Sequence, residues 1–173
     1  KFYDLPIFYT PKLSHPDPTV DRRSGFLPPS FSNSRNLGSG IKVPYYWTVG
    51  KDKDFTLTTK LFSTENPLYL GEYRHALNNS NLILDFGYTK GYNKTSSTKI
   101  AGEKSHFFSK FTKNFISKNN SENNLEVSLQ EVSNDKYLKL YKIETNLVEY
   151  EKDILENSLN FTHENEDLFF GLN

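Results

Sequence analysis

Apolar and polar residues alternate one by one along most of this chain, and a period of two fits a pleated strand. Phe55, Leu57, Thr59 and Leu61 interleave with Asp54, Thr56, Thr58 and Lys60. Leu82, Leu84, Phe86 and Tyr88 interleave with Ile83, Asp85, Gly87 and Thr89. Leu125, Val127 and Leu129 interleave with Glu126, Ser128 and Gln130, and a long strand is expected over residues 151–163, where Leu155, Leu159 and Phe161 recur. Clusters such as Asn78-Asn79-Ser80, Gly91-Tyr92-Asn93 and Asn119-Asn120-Ser121 mark turns between these runs. A strand and turn every dozen or so residues predicts consecutive antiparallel hairpins. Phe107, Phe108, Phe111 and Phe115 also suit an amphipathic helix over residues 105–116, but Phe, Ser, Thr and Asn are weak helix formers and favour a strand.

Each such strand has one apolar and one polar face, which describes a soluble β-sandwich and a membrane barrel equally well. No apolar run approaches the ~18 residues of a membrane-crossing helix, whereas a tilted barrel strand needs only about 10. The chain is 35% hydrophobic yet 15% aromatic, a bias toward residues that suit pleated surfaces. Basic and acidic residues balance at 21 each, so the charge footprint of a nucleic-acid binder is missing and no nucleic-acid partner is expected. Without cysteine the chain offers neither a disulfide framework nor a thiolate metal site. His15, His75, His106 and His163 are scattered, without metal-ligand spacing, and read as surface or lumen histidines. No grouping of Ser, His and Asp suggests catalysis, so neither an enzyme nor a cofactor is expected. The absence of methionine from all 173 residues predicts a segment of a longer protein.

Residues 1 to about 24 are rich in proline, with a short strand expected at Leu5–Tyr9 and an extended connector at His15-Pro16-Asp17-Pro18. The stretch PIFYTPKLSHPDPTVDRRSGFLPPS at residues 6–30 resembles the junction between the periplasmic domain and the barrel in the LptD (OstA, Imp) family of LPS-assembly proteins. The segments VPYYWTVGKDKDFTLTTK (43–60) and LGEYRHAL (70–77) follow in the family's order, and VSNDKYLKLYKI (132–143) resembles a later family segment. The HPDPTVDRRSG form is most similar to alphaproteobacterial members. Family members often carry cysteines flanking this region, and their absence here is a departure.

The resemblance implies an all-β chain: the end of a periplasmic β-jellyroll and its linker over residues 1–24, then the first antiparallel strands of an outer-membrane β-barrel over 25–173. It implies lipopolysaccharide as cargo, passed through the barrel lumen and released through a lateral gate. An LptE-like plug lipoprotein, an LptA-like periplasmic bridge protein and outer-membrane lipid are the implied partners. The location would be the outer membrane of a Gram-negative cell, with the N-terminal segment in the periplasm. A generic porin-like barrel and a soluble carbohydrate-binding sandwich are the competing readings.

Several residues carry candidate roles. Pro29 and Pro44 match family positions on the first two barrel strands; each removes a ladder donor, which suits a seam that opens and equally marks a strand end. Tyr45, Tyr46 and Trp47 form an aromatic cluster suited to a membrane interface or to a sandwich core. Arg22 and Arg23, at the expected domain junction, suit lipid phosphate or a salt-bridged hinge. Asp54, Lys60, Glu72, Arg74 and Asp85 fall on polar strand faces, as lumen-lining residues or as the wet side of a sandwich.

Overall fold

The computed structural model describes residues 22–96, 99–117, 121–152, 154–164 and 168–172. The expected strand at Leu5–Tyr9 and the connector at His15–Pro18 lie outside the described residues. Among the described residues the strands are β1 (Gly25–Phe26), β2 (Ser30–Ser34), β3 (Gly38–Thr48), β4 (Lys53–Phe62), β5 (Leu68–Leu77), β6 (Ser80–Thr89), β7 (Lys104–Ile116), β8 (Glu122–Val132), β9 (Ser158–Glu164) and β10 (Phe169–Leu172), with one short helix, α1 (Tyr137–Tyr141). The chain is all-β, as the alternation predicts. Its strands form one open antiparallel sheet in sequence order, with β1 and β2 both paired to β3.

The register sorts the side chains. Asp54 pairs with Arg74, Glu72 with Asp85, Asp85 with Phe108 and Phe108 with Gln130, so all of these share one face. The other face carries Ile41, Tyr45, Trp47, Leu57, Leu61, Tyr69, Leu84, Phe86, Phe107, Phe111, Val127 and Leu159. That face is apolar and open: Trp47 is 56% exposed, Leu61 47% and Leu159 50%. The Phe107–Phe115 segment is strand, and its register splits the phenylalanines, sending Phe107, Phe111 and Phe115 to the apolar face and Phe108 to the other.

Connections differ at the two ends of the sheet. At one end they span residues 49–52, 78–79 and 117–121; at the other, 35–37, 63–67, 90–103 and 133–157. The tight end uses Asn79 at φ 57, a left-handed conformation that asparagine tolerates well. The last long connection folds back over the polar face and supplies most of the core. Tyr137, Leu138, Tyr141, Ile143 and Val148 are buried there with Leu37, Leu68 and Phe108 from the sheet side. Leu68 and Phe108 are fully buried, each worth about 2–3 kcal/mol of apolar burial.

The long strand expected over 151–163 is therefore shorter. Strand begins at Ser158, because the preceding residues belong to the segment packed over the sheet. His106, read as a surface or lumen residue, is buried at 4% exposure beneath that segment.

The first edge is irregular. Gly25 and Phe26 pair with Tyr46 and Tyr45, whereas Ser30 and Phe31 pair with Lys42 and Ile41. The Leu27 N–H still reaches the Pro44 carbonyl at 2.9 Å. Pro28 and Pro29 together thus oppose the single residue Val43, which is the count of a β-bulge. Neither proline can donate a hydrogen bond, so the chain is extruded from the ladder there.

Candidate functional site

The five charged residues expected on polar strand faces all lie on the face that the 133–157 segment covers in part, and they form two groups. Nearer the tight-turn end, the buried Asp54 carboxylate accepts from Arg74 Nε at 2.8 Å, Arg22 Nη1 at 3.0 Å and the Tyr46 hydroxyl at 3.3 Å. Arg74 also sits 3.5 Å from Glu72. Arg22 thereby ties the segment before β1 to strand β4, a structural use of a residue also considered for lipid contact. Arg23 is exposed.

The second group meets the covering segment. Lys60 Nζ donates to the Tyr141 and Lys142 carbonyls at 3.1 and 3.0 Å, at the end of α1. Glu72 accepts from Asn146 Nδ2 at 2.8 Å. Asp85 Oδ1 lies 2.7 Å from His106 Nε2, and His106 Nδ1 lies 3.2 Å from the Tyr137 hydroxyl. Burial pushes the Tyr137 hydroxyl above its ordinary pKa, aided by the nearby Tyr141 and Asp85 charges. Tyr137 then keeps its proton, and the two ring nitrogens of His106 bridge its hydroxyl and the Asp85 carboxylate. Gly87 makes this approach possible: a Cβ there would stand 2.5 Å from the His106 ring and 2.8 Å from the Tyr137 hydroxyl.

The aromatic trio divides. Tyr45 and Trp47 project from the apolar face, Tyr45 meeting Phe26 edge-on with centroids 5.0 Å apart. Tyr46 faces the other way, toward Asp54, as strand alternation requires. Pro44 is buried within β3, and Pro29 lies exposed just before β2 rather than inside a strand. Pro29 opposes Val43 at the bulge, one residue along β3 from Pro44, whose carbonyl accepts from the Leu27 N–H.

At the long-connection end, Glu65 accepts from Lys99 Nζ and from the Asn93 N–H, both at 2.7 Å. Burial alone would raise its pKa, but the hydrogen bonds and charge of Lys99, with the Asn93 and Lys94 amides, outweigh this and lower it.

Residue patterning missed Tyr137 and His106. A helix of five residues has too few turns to display a 3.6-residue period, and a lone histidine in a strand carries no signal of its partner 31 positions away.

An open antiparallel sheet with one exposed apolar face, one charged face, and its two long connections at the same end is the organisation from which barrel walls are built. Sequence comparison points the same way. The chain is 41% identical to an LPS-assembly protein LptD of Nitrosococcus oceani over 93 residues, covering 53% of this chain and 12% of that protein. It is 27% identical to the LPS-assembly protein LptD of Legionella pneumophila across 95% of this chain and 20% of that protein. The Pseudomonas aeruginosa protein of the same name is 36% identical over 49% of this chain and 9% of its own length. The chain thus spans no more than about a fifth of the length of these relatives. No protein-family model matches it.

Proposed function

We propose that this chain forms part of the wall of an outer-membrane β-barrel that assembles lipopolysaccharide at the cell surface, as a transport component and not an enzyme. The observation that carries the reading is the exposed apolar face running from Ile41 to Leu159, on a chain similar throughout to LPS-assembly proteins. In a soluble sandwich a second sheet would cover that face, and among the described residues none does. In lipid it needs no cover. Tyr45 and Trp47 then suit an aromatic girdle, while Asp54, Lys60, Glu72, Arg74 and Asp85 line a polar route for sugar.

On this reading the tight-turn end and the residues before β1 lie in the periplasm, where an LptA-like bridge delivers lipid. An LptE-like lipoprotein plugs the completed barrel. Pro29 and Pro44 form part of a lateral gate, supported by the bulge that leaves Pro28 and Pro29 outside the ladder on an edge strand. Arg23, with the exposed part of Arg22, would meet lipid phosphate at the junction.

The test is photo-crosslinking in the full protein in its membrane, with probes at Phe31 and Ile41, direct partners on the apolar face beside the bulge. A lipopolysaccharide adduct that depends on energised transport supports the assembly role and the gate together. A folded, inserted protein giving no adduct at either site assigns the chain to a generic barrel.

A further inference from the structure

We propose that the cleft between the β2–β3 edge hairpin and the end of α1 is a binding site for a phosphorylated saccharide. The cleft has a volume of about 410 Å³. It deepens the lipopolysaccharide reading, on which its biological ligand rests, by naming the chemical group held and the residues that hold it.

The argument begins with an unfavourable pairing. Lys42 and Lys60 are direct cross-strand partners on the polar face. Like charges placed opposite one another destabilise a sheet unless something compensates. Lys60 is held by the Tyr141 and Lys142 carbonyls, which are neutral acceptors and bring no opposite charge to the pair. Lys42 meets Glu144 at 3.4 Å, with the Glu144 side chain 73% exposed, a long and water-screened contact. Arg35 in the hairpin turn and Lys142 beyond α1 also line the cleft. Four cations therefore converge on one space with a single carboxylate, Glu144, among its lining residues.

The remaining walls narrow the ligand further. Ser30, Ser32 and Ser34 follow one another on the same face of β2 and offer hydroxyl donors along one side. Leu37, Phe62 and Tyr141 form an apolar floor, with the two rings 5.8 Å apart, against which the flat side of a sugar ring can lie. The volume exceeds what a bare phosphate fills and suits a small organic group. Several convergent cations favour the dianion of a phosphomonoester over a single carboxylate. Glu144 acts as an internal anion that the ligand displaces from Lys42.

The experiment is a 31P NMR titration of glucosamine 1-phosphate against the full protein in detergent, with unphosphorylated glucosamine added as a competitor. Saturable broadening in the parent protein is expected. Arg35→Gln and Lys142→Gln, both in exposed connections, should each weaken it about tenfold, the loss of one charge-assisted contact. Glu144→Gln should tighten it about threefold by releasing Lys42. Lys42→Gln should weaken it, and stability measured in parallel separates this from misfolding.

Displacement of the probe by plain glucosamine at equal concentration, or unchanged affinity in Arg35→Gln and Lys142→Gln, would overturn the assignment. Competition by lipopolysaccharide but not by its dephosphorylated form identifies the lipid-borne source; no competition by either identifies a free sugar phosphate. A lipopolysaccharide adduct at Phe31 or Ile41 with no sugar-phosphate binding would leave the transport reading standing and remove only this site.

Discussion

Gly87→Ala tests whether the segment over the polar face is seated by close approach to the wall. A Cβ at residue 87 would stand 2.5 Å from His106 Cε1, 2.7 Å from Leu70 Cδ2 and 2.8 Å from Tyr137 Oη. His106 cannot move away freely, because Asp85 and Tyr137 hold its two ring nitrogens. Overpacking of this kind costs about 1–3 kcal/mol. Replacing glycine by alanine in a strand otherwise gains about 0.5–1 kcal/mol, because the unfolded chain loses less entropy. The net expectation is a loss of about 0.5–2 kcal/mol, falling on the contact between α1 and the sheet. Hydrogen exchange reads it directly, since the Leu140 N–H donates to Lys136 and the Ile143 N–H to Leu138 within the segment. Those two amides should exchange about 2- to 30-fold faster in the variant, with the amides of β4 and β5 near their parent rates. Unchanged or slower exchange at Leu140 and Ile143 would refute the reasoning, because it would mean the wall tolerates a methyl group there and only the strand's gain remains.

Leu84→Lys places a charge on the apolar face of β6 and should lower folding stability in lipid vesicles by about 2–4 kcal/mol if the position lies near mid-depth, measured by denaturant titration; no loss would mean that this face meets water. Asp54→Ala removes the acceptor shared by Arg22, Arg74 and Tyr46, and should cost about 1–3 kcal/mol in the same titration, a figure held down because both arginines are half exposed and rehydrate. Glu65→Gln should destabilise at pH 7 by about 1–3 kcal/mol, because the amide replaces one of the two oxygens that accept from Lys99 and Asn93 and removes the charge paired with Lys99. Because the folded pKa of Glu65 is lowered, its contribution is full above the ordinary value of 4.5 and fades as pH falls below it. The parent and the Gln variant should therefore converge in stability at acid pH, and a gap that persists there would rule out the charge as its cause.

The sheet was readable in advance because its information is local. Alternation at Phe55–Leu61 or Leu82–Tyr88 fixes both the strand and the face, and the observed register places those residues accordingly. The same rule should have separated Tyr46 from Tyr45 and Trp47, since neighbours in a strand point to opposite faces. The covering segment was not readable. Leu138, Tyr141, Ile143 and Val148 are buried in a cluster with Leu37, Leu68 and Phe108 from much earlier in the chain, and nothing in their own spacing distinguishes them from a strand-forming run. The strand expected over 151–163 starts only at Ser158 for the same reason, with Leu155 packing against the segment's core instead of entering the sheet. The charged residues were found for the right local reason, but their division into an Asp54 group and a group under α1 depends on where a distant loop lands.

That landing place links the cleft to the weak edge. The covering segment reaches Lys60 on β4 through the carbonyls of Tyr141 and Lys142, while the inward-facing serines of β2 bound the cleft it leaves open. On that same edge strand, immediately before Ser30, Pro28 and Pro29 interrupt the ladder to β3. An extended edge strand ordinarily offers a continuous row of donors and acceptors to a neighbour. Here the row is broken by two consecutive residues without an N–H, so a strand approaching from outside finds fewer bonds to make and fewer to lose. An anion seated among Lys42, Lys60 and Arg35 would lie on the polar side of this strand, with lipid-suited Phe31 on its other side at 80% exposure. A molecule with a charged sugar at one end and hydrocarbon at the other could therefore meet both halves of its chemistry across the thickness of one weakly paired strand.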